Sequence, residues 1–542
     1  EPKDGDMEKY LKGELVEPKK PIIFYIDPAT PKKWVPYLIQ GVNDWASSFE
    51  KAGFKNAIMG KMAPTKAEDS TWSLDDARHS AIVYKPSDIP NASGPSVADP
   101  RSGEIIESHI NWYHNVMQLI HDWYFVQTAA VDPKARKMQY DDELMGQLIR
   151  FVSSHEVGHT LGLRHNFGSS STVPVEKLRD KAWVEANGHT PSIMDYARFN
   201  YIAQPEDNIS EKGLFPRIGK YDDWAIEWGY KLFPQYKDAE AEKGYVSKWI
   251  MERLKDKQLW FGTEVNPDDP RSQSEQIGDD AMKGSAYGIK NLQRILPNLM
   301  EWTKEPNENY DNLENMYNQL TSQYGRYMGH VSKYVGGIME TPKSVDEAGP
   351  VYEVVAKAKQ KEAVDFLNKN LFATPTWLIN QDIYNRVGDL NGLKVIGDIQ
   401  DRTLSRLLSA YTLSKMANAA ADDGNAYQIS ELLGDLKKGI WSELASRKPI
   451  DAYRRNLQKS FVNTLVNLLS PPKVQTTSAG TGVSISVSVA NDKSDVTSVA
   501  RGFLSSLRNE INVAAAASAD SMTKYHLQDV SKRIDNALNP KD

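Results

Sequence analysis

Residues 155–165 read HEVGHTLGLRH, and no other stretch of the chain constrains the fold as tightly. On an α-helix, positions i and i+4 lie about 40° apart around the axis and roughly 6 Å apart along it. His155 and His159 can therefore aim two imidazoles at one ion if this stretch is helical. Glu156 then sits one residue on, near enough to touch a water on that ion without being a ligand. Gly162 can take a positive φ, which ends the helix and turns the chain. The turn brings His165 back as a third nitrogen. Three histidines leave a fourth position open for water, as in a catalytic zinc site and unlike a closed structural one. The chain contains no cysteine, so thiolate zinc sites, iron–sulfur clusters, disulfides and cysteine nucleophiles are excluded. The remaining histidines, His79, His109, His114, His121, His189, His330 and His526, have no such company and read as surface or core residues.

At 542 residues the chain is too long for one ordinary domain. Residues 1–20 are charged and read as an extended N-terminal segment. Pro21 to Ile26 (PIIFYI) is short, apolar and rich in β-formers, a buried strand. Pro31 to Ala52 has helical spacing and stops at Gly53. Ala57–Met59, Ser80–Tyr84 and Glu104–Tyr113 are further strands, and 94–103 is turn-rich with room for a short strand. Helices follow over Val116–Ala130 and about Asp142–Leu161. This pattern predicts a mixed α/β domain over 21–234. From 235 the texture is amphipathic helix, at about 279–301, 308–335, 351–370, 401–420, 429–445, 450–470, 494–516 and 521–538. Residues 471–493 are rich in Ser, Thr, Gly and Pro, and read as an exposed loop or hairpin. The expected fold class is α+β, with a mostly α-helical C-terminal domain over 235–542.

A formal net charge of -7, from 65 Lys+Arg against 72 Asp+Glu, argues against a nucleic-acid partner. No apolar run approaches a transmembrane helix. The polar opening Glu1–Asp6 reads as the cut end of a longer chain, with any export signal outside view. The lack of cysteine suits an exported bacterial protein, although cytosolic chains lack it too. Asp268, Asp269, Asp279 and Asp280 could hold calcium through oxygen ligands, the alternative being a solvated acidic loop.

The segment 155–165 resembles the extended zinc signature HExxHxxGxxH of the metzincin metallopeptidases. Ser192-Ile193-Met194-Asp195-Tyr196 resembles their Met-turn, a tight turn whose methionine underlies the zinc site. Asn166, after the third histidine, departs from the Glu, Asp, Ser or Pro of the best-known subfamilies. The stretches GPSVADPRSGEI (94–105), HEVGHTLGLRHNF (155–167), SIMDYARFNY (192–201), GKYDDWAIEWGY (219–230) and DDAMKGSAYGIKNL (279–292) look like the bacterial met-zincin group of large zinc-dependent peptidases.

The resemblance implies a twisted mixed sheet, a backing helix and an active-site helix. It implies one catalytic zinc on His155, His159 and His165, with Glu156 as general base, in an endopeptidase acting on peptide or protein substrates. Tyr196 resembles the tyrosine that in some metzincins ligates zinc at rest or stabilises the oxyanion. Substrate is expected to lie extended along an edge strand, here Pro95 to Asp99. Two other readings stand beside this one: a zinc-binding scaffold without turnover, and a zinc hydrolase of a non-peptide amide.

Overall fold

The short β-rich runs form one sheet. In chain order its strands are β1 (Ile22–Ile26), β2 (Ile58–Met62), β3 (Ser80–Lys85), β4 (Ala92–Ser93), β5 (Ser96–Ala98) and β6 (Ile105–Tyr113). They lie in the order β2-β1-β3-β6-β4, with β5 also on β6. β1, β2, β3 and β6 are mutually parallel, while β4 and β5 run antiparallel to β6, so the sheet is mixed. Phe24, Ile26, Ala81, Ile82, Ile110 and Trp112 bury its apolar side chains, which is why these β-branched and aromatic runs pair. All three residues of β5 are exposed.

The structure is a computed structural model and describes residues 1–264, 266–388, 390–469, 475–478, 484–487 and 494–540. The chain divides into two compact units, Glu1–Glu264 with Ser274–Glu308, and Val265–Gln273 with Asn309–Asp542. The first is α+β and the second mostly helical. No helix among the described residues is long and apolar enough to cross a membrane.

In the first unit, helices α1 (Met7–Leu11), α2 (Val35–Asn43), α3 (Ala46–Lys51), α4 (Val116–Thr128) and α5 (Asp142–Thr160) accompany the sheet. Asp141 starts α5 by accepting the Leu144 N–H at 2.9 Å. Leu144, Leu148, Ile149, Val152 and Val157 are buried along it. Its polar contacts with α2 and the turn after it are specific. Ser153 Oγ donates to the Leu38 carbonyl at 3.0 Å, Ser154 Oγ to the Gly41 carbonyl at 3.1 Å, and Trp45 Nε1 to the Ser154 carbonyl at 2.9 Å.

Several expectations need correction. The single helix over 31–52 is two, broken at Asp44-Trp45, where the Asp44 carboxylate accepts Arg150 Nε at 2.8 Å and Ser154 Oγ at 2.9 Å. Those bonds tie the break to α5. Residues 1–20 are not simply extended: they include α1, and Val16 bridges Phe54. The first unit also runs past Pro234 to Glu264 and takes back Ser274–Glu308. Helix Ala239–Arg253, which lacks an apolar stripe, places Trp249 against Trp224 and Phe233 at centroid distances of 4.8 and 5.4 Å. Helix Ala281–Ile295 contributes Asn291, whose Nδ2 donates to the carbonyls of Tyr201 and Ala203 at 2.9 and 2.8 Å.

In the second unit the expected helices appear with two breaks and one insertion. Segment 401–420 is Gly392–Leu407 and Ala410–Asp422, separated where Ser409 caps the second. Segment 429–445 is Ile429–Ile440 and Ser442–Ser446. Tyr352–Val354 is a strand, paired antiparallel with Ile338–Glu340. Within 471–493, Gln475–Ser478 and Ser484–Val487 pair antiparallel; the rest of that stretch lies outside the described residues.

Candidate metal centre

The end of α5 turns as a positive φ at Gly162 allows. Gly162 has φ +94°, and the Leu163 N–H reaches back to the Gly158 carbonyl at 3.1 Å. This brings His155, His159 and His165 together, with one nitrogen of each within 4.8 Å of the others. Their Nδ1 atoms all have outward partners. His155 Nδ1 donates to the Ile193 carbonyl at 2.9 Å, His159 Nδ1 to the Leu163 carbonyl at 3.0 Å, and His165 Nδ1 to the Glu264 carboxylate.

Those bonds place the protons on Nδ1 and leave the Nε2 lone pairs free. His159 and His165 Nε2 are 3.1 Å apart, and His155 Nε2 is buried without a hydrogen-bond partner. Lone pairs this close repel unless a cation lies among them. Burial lowers the pKa of all three rings, with neighbouring imidazoles adding to it at His155 and at His159, which falls to about 4, while the Glu264 carboxylate acts against burial at His165. The rings are therefore neutral donors at neutral pH. The donor set fits a divalent zinc with an open position.

Glu156 is 8% exposed, and burial pushes its carboxyl up to about 7. A hydrogen bond from the Gly94 backbone and the charge of Arg198 act in the opposite direction. Residues 192–196 form a tight turn, in which Ser192 caps a 3-10 turn over Ile193–Asp195 and Tyr196 is left-handed at φ 59°. Asp222 pins that turn, accepting from Ser192 Oγ at 2.6 Å, from the Ile193 N–H at 2.7 Å and from the Gly219 N–H at 2.8 Å. Met194 is fully buried. The Tyr196 ring lies 4.5 Å from that of His165 and 5.3 Å from that of His155. Phe167 lies 5.5 Å from the same ring, and the Arg198 guanidinium lies 3.9 Å from the Tyr196 ring and 3.3 Å from the Trp123 ring.

The sequence pattern brought four of these neighbours to no one's side: Glu264, Asp222, Arg198 and Gly94. Asp222 and Gly94 lie in stretches that resemble the met-zincin group, but nothing in their spacing ties them to the histidines. Glu264 lies 99 residues after His165 in an irregular segment without any periodic signal. Pro95 to Asp99 contains β5, beside Gly94 and hence beside Glu156.

Calcium is not shown at the four aspartates that could hold it. Asp268 pairs with Lys415 and Tyr411, Asp269 with Arg271, Asp279 accepts the Val175 N–H, and Asp280 caps helix Ala281–Ile295. The cations and N–H donors have claimed these carboxylates. Among the described residues, His155, His159 and His165 are the only group of three or more placed to hold a metal.

A family model described as Met-zincin matches residues 137–448, more than half of the chain. No curated protein and no solved structure matches it.

Proposed function

Since the chain belongs to the Met-zincin family and is on that ground a zinc-dependent metallopeptidase, we propose that it is an endopeptidase in which His155, His159 and His165 hold the zinc. The observation that carries this reading is the convergence of three Nε2 lone pairs, each fixed by an outward Nδ1 bond, beside a buried carboxyl.

Zinc held there would polarise the scissile carbonyl and bring the attacking water's pKa toward about 7. Glu156 takes the proton of that water and hands it to the leaving amine. Burial raises the affinity of this carboxyl for a proton, and the charge of a bound cation would act the other way, favouring the carboxylate that accepts it. Tyr196, at the end of the Met-turn formed by 192–196, donates its O–H to the developing oxyanion. The Gly94 N–H keeps Glu156 turned toward the start of the edge strand. Extended substrate adds to β5, whose residues are exposed and which no described strand but β6 pairs. That open edge supports protein substrates over a small amide. The lack of cysteine supports export from a bacterial cell, which fractionation of the native host would test.

The decisive experiment is cleavage profiling of a peptide library by the zinc-loaded protein. Internal cleavage that stops on chelation and returns with zinc is expected. Zinc uptake without hydrolysis of any peptide would overturn the reading in favour of a binding scaffold.

A further inference from the structure

We infer that Glu264, on a loop anchored by Asn166, is the positioning residue that orients His165 for metal binding. The inference rests on the zinc reading above. His155 and His159 direct Nδ1 at backbone carbonyls that the fold itself fixes, those of Ile193 and Leu163. His165 alone relies on a side chain, the Glu264 carboxylate. A carboxylate on the outer nitrogen fixes the Nδ1–H tautomer and makes Nε2 a stronger donor than a neutral carbonyl does.

Glu264 needs its own support, and Asn166 supplies it. Asn166 is fully buried. Its Oδ1 accepts the Gly262 N–H at 2.8 Å while its Nδ2 donates to the Trp260 carbonyl at 3.0 Å. Its own N–H donates to the Met194 carbonyl at 2.9 Å. One side chain thus holds the loop at two points and fixes the next turn of chain, from which Glu264 reaches back. Only an amide has a donor and an acceptor in this arrangement. An aspartate at 166 would accept from Gly262 but could not donate to Trp260. The departure from the better-known subfamilies at this position is therefore matched by a carboxylate that arrives from the loop it holds. Arg164, with Nη2 3.6 Å from the Glu264 carboxylate, flanks the same group on the solvent side.

The test is a zinc titration of the metal-free protein against a chelating indicator, with melting temperatures of the metal-free forms. Glu264→Ala is expected to weaken zinc binding by about 10–100-fold. Glu264→Gln, which keeps an acceptor but loses the charge, should fall between, and Asn166→Asp should weaken binding in the same direction. The metal-free melting temperature of Glu264→Gln should equal that of wild type. Wild-type zinc affinity in both Glu264 variants overturns the inference and leaves the zinc reading intact. So does a lowered metal-free melting temperature with unchanged affinity, because that is what a merely structural contact would do. If Glu264→Ala does not fold, Glu264→Gln decides. A wild-type protein that takes up no zinc would remove the zinc reading, and this inference with it.

Discussion

Gly158 and Met194 approach so closely that a Cβ on the glycine would lie 2.4 Å from the Met194 sulfur and 2.9 Å from Trp45. The turn that carries Met194 can tuck against α5 because position 158 has no side chain. The same turn supplies the Ile193 carbonyl to His155 and the Met194 carbonyl to Asn166. Close packing at one glycine is thus transmitted to His155 and Asn166 of the candidate metal centre.

Gly158→Ala sets two effects against each other. Alanine gains about 1 kcal/mol of helix propensity, while forcing a methyl into this contact costs about 1–3 kcal/mol, since both Met194 and Trp45 are fully buried. A net loss of stability is expected in denaturant unfolding, together with weaker zinc binding. A variant more stable than wild type would show that the turn can move away freely.

Metal content tests the ligand set. Wild type should hold about one zinc per chain through nitrogen and water. His159→Ala leaves two imidazoles, which grip zinc far more weakly than three, so elemental analysis after dialysis should find little metal. Full occupancy in that variant would exclude the three-histidine site.

Glu156→Gln keeps the shape of the side chain and an acceptor for the Gly94 N–H, but it cannot take up a proton. Zinc content and fold should hold while turnover falls by roughly 100–10,000-fold. Activity within a factor of about three of wild type would mean that the proton moves through another group.

Asp195 offers a test of electrostatics away from the ligands. Burial pushes its carboxyl up to about 7, against hydrogen bonds from Thr190 and from Ser170 that favour the charged form. An unfolded aspartate titrates near about 3.9. The native state therefore holds this proton more tightly, and the stability this adds is complete below about pH 4 and lost as the pH rises through 7. Asp195→Asn has no such proton to lose. Relative to wild type it should gain at least about 1 kcal/mol between pH 4 and pH 8, read from unfolding curves at both. A difference that stays constant over that range would show that Asp195 titrates as an exposed carboxylate does.

The sequence was legible where the chemistry is local. Helical spacing and one glycine locate His155, His159 and His165, and the φ of +94° at Gly162 is what that spacing requires. Apolar runs of five or six residues locate β1 and β3. Legibility failed where distant segments decide. The change of texture near Pro234 suggests a boundary, yet Trp249 from the next helix packs on Trp224 and Phe233, so the unit continues. That helix has charged residues on all sides and no buried residue, and gives no periodic signal. Glu264 was invisible for the same reason: its role depends on Asn166 folding a loop toward it, not on its neighbours in sequence.

Tyr196 carries the sharpest expectation. It follows the buried Met194 by two residues, and its left-handed backbone swings the ring out of the turn toward His165 and His155. Arg198 stacks on that ring and on Trp123, which holds the phenol in one orientation. A hydroxyl oriented in this way can donate to an oxyanion forming beside the imidazoles, and loss of one such donor costs about 3–4 kcal/mol, roughly 100–1,000-fold in rate. Tyr196→Phe preserves the ring and its stack with Arg198 and deletes only the hydroxyl. If the hydroxyl served a local structural bond, the variant would lose stability and keep its rate. The opposite is expected: kcat should fall while zinc content and melting temperature hold. Near wild-type kcat in Tyr196→Phe would take the phenol out of the mechanism and leave Glu156 and the zinc as its working parts.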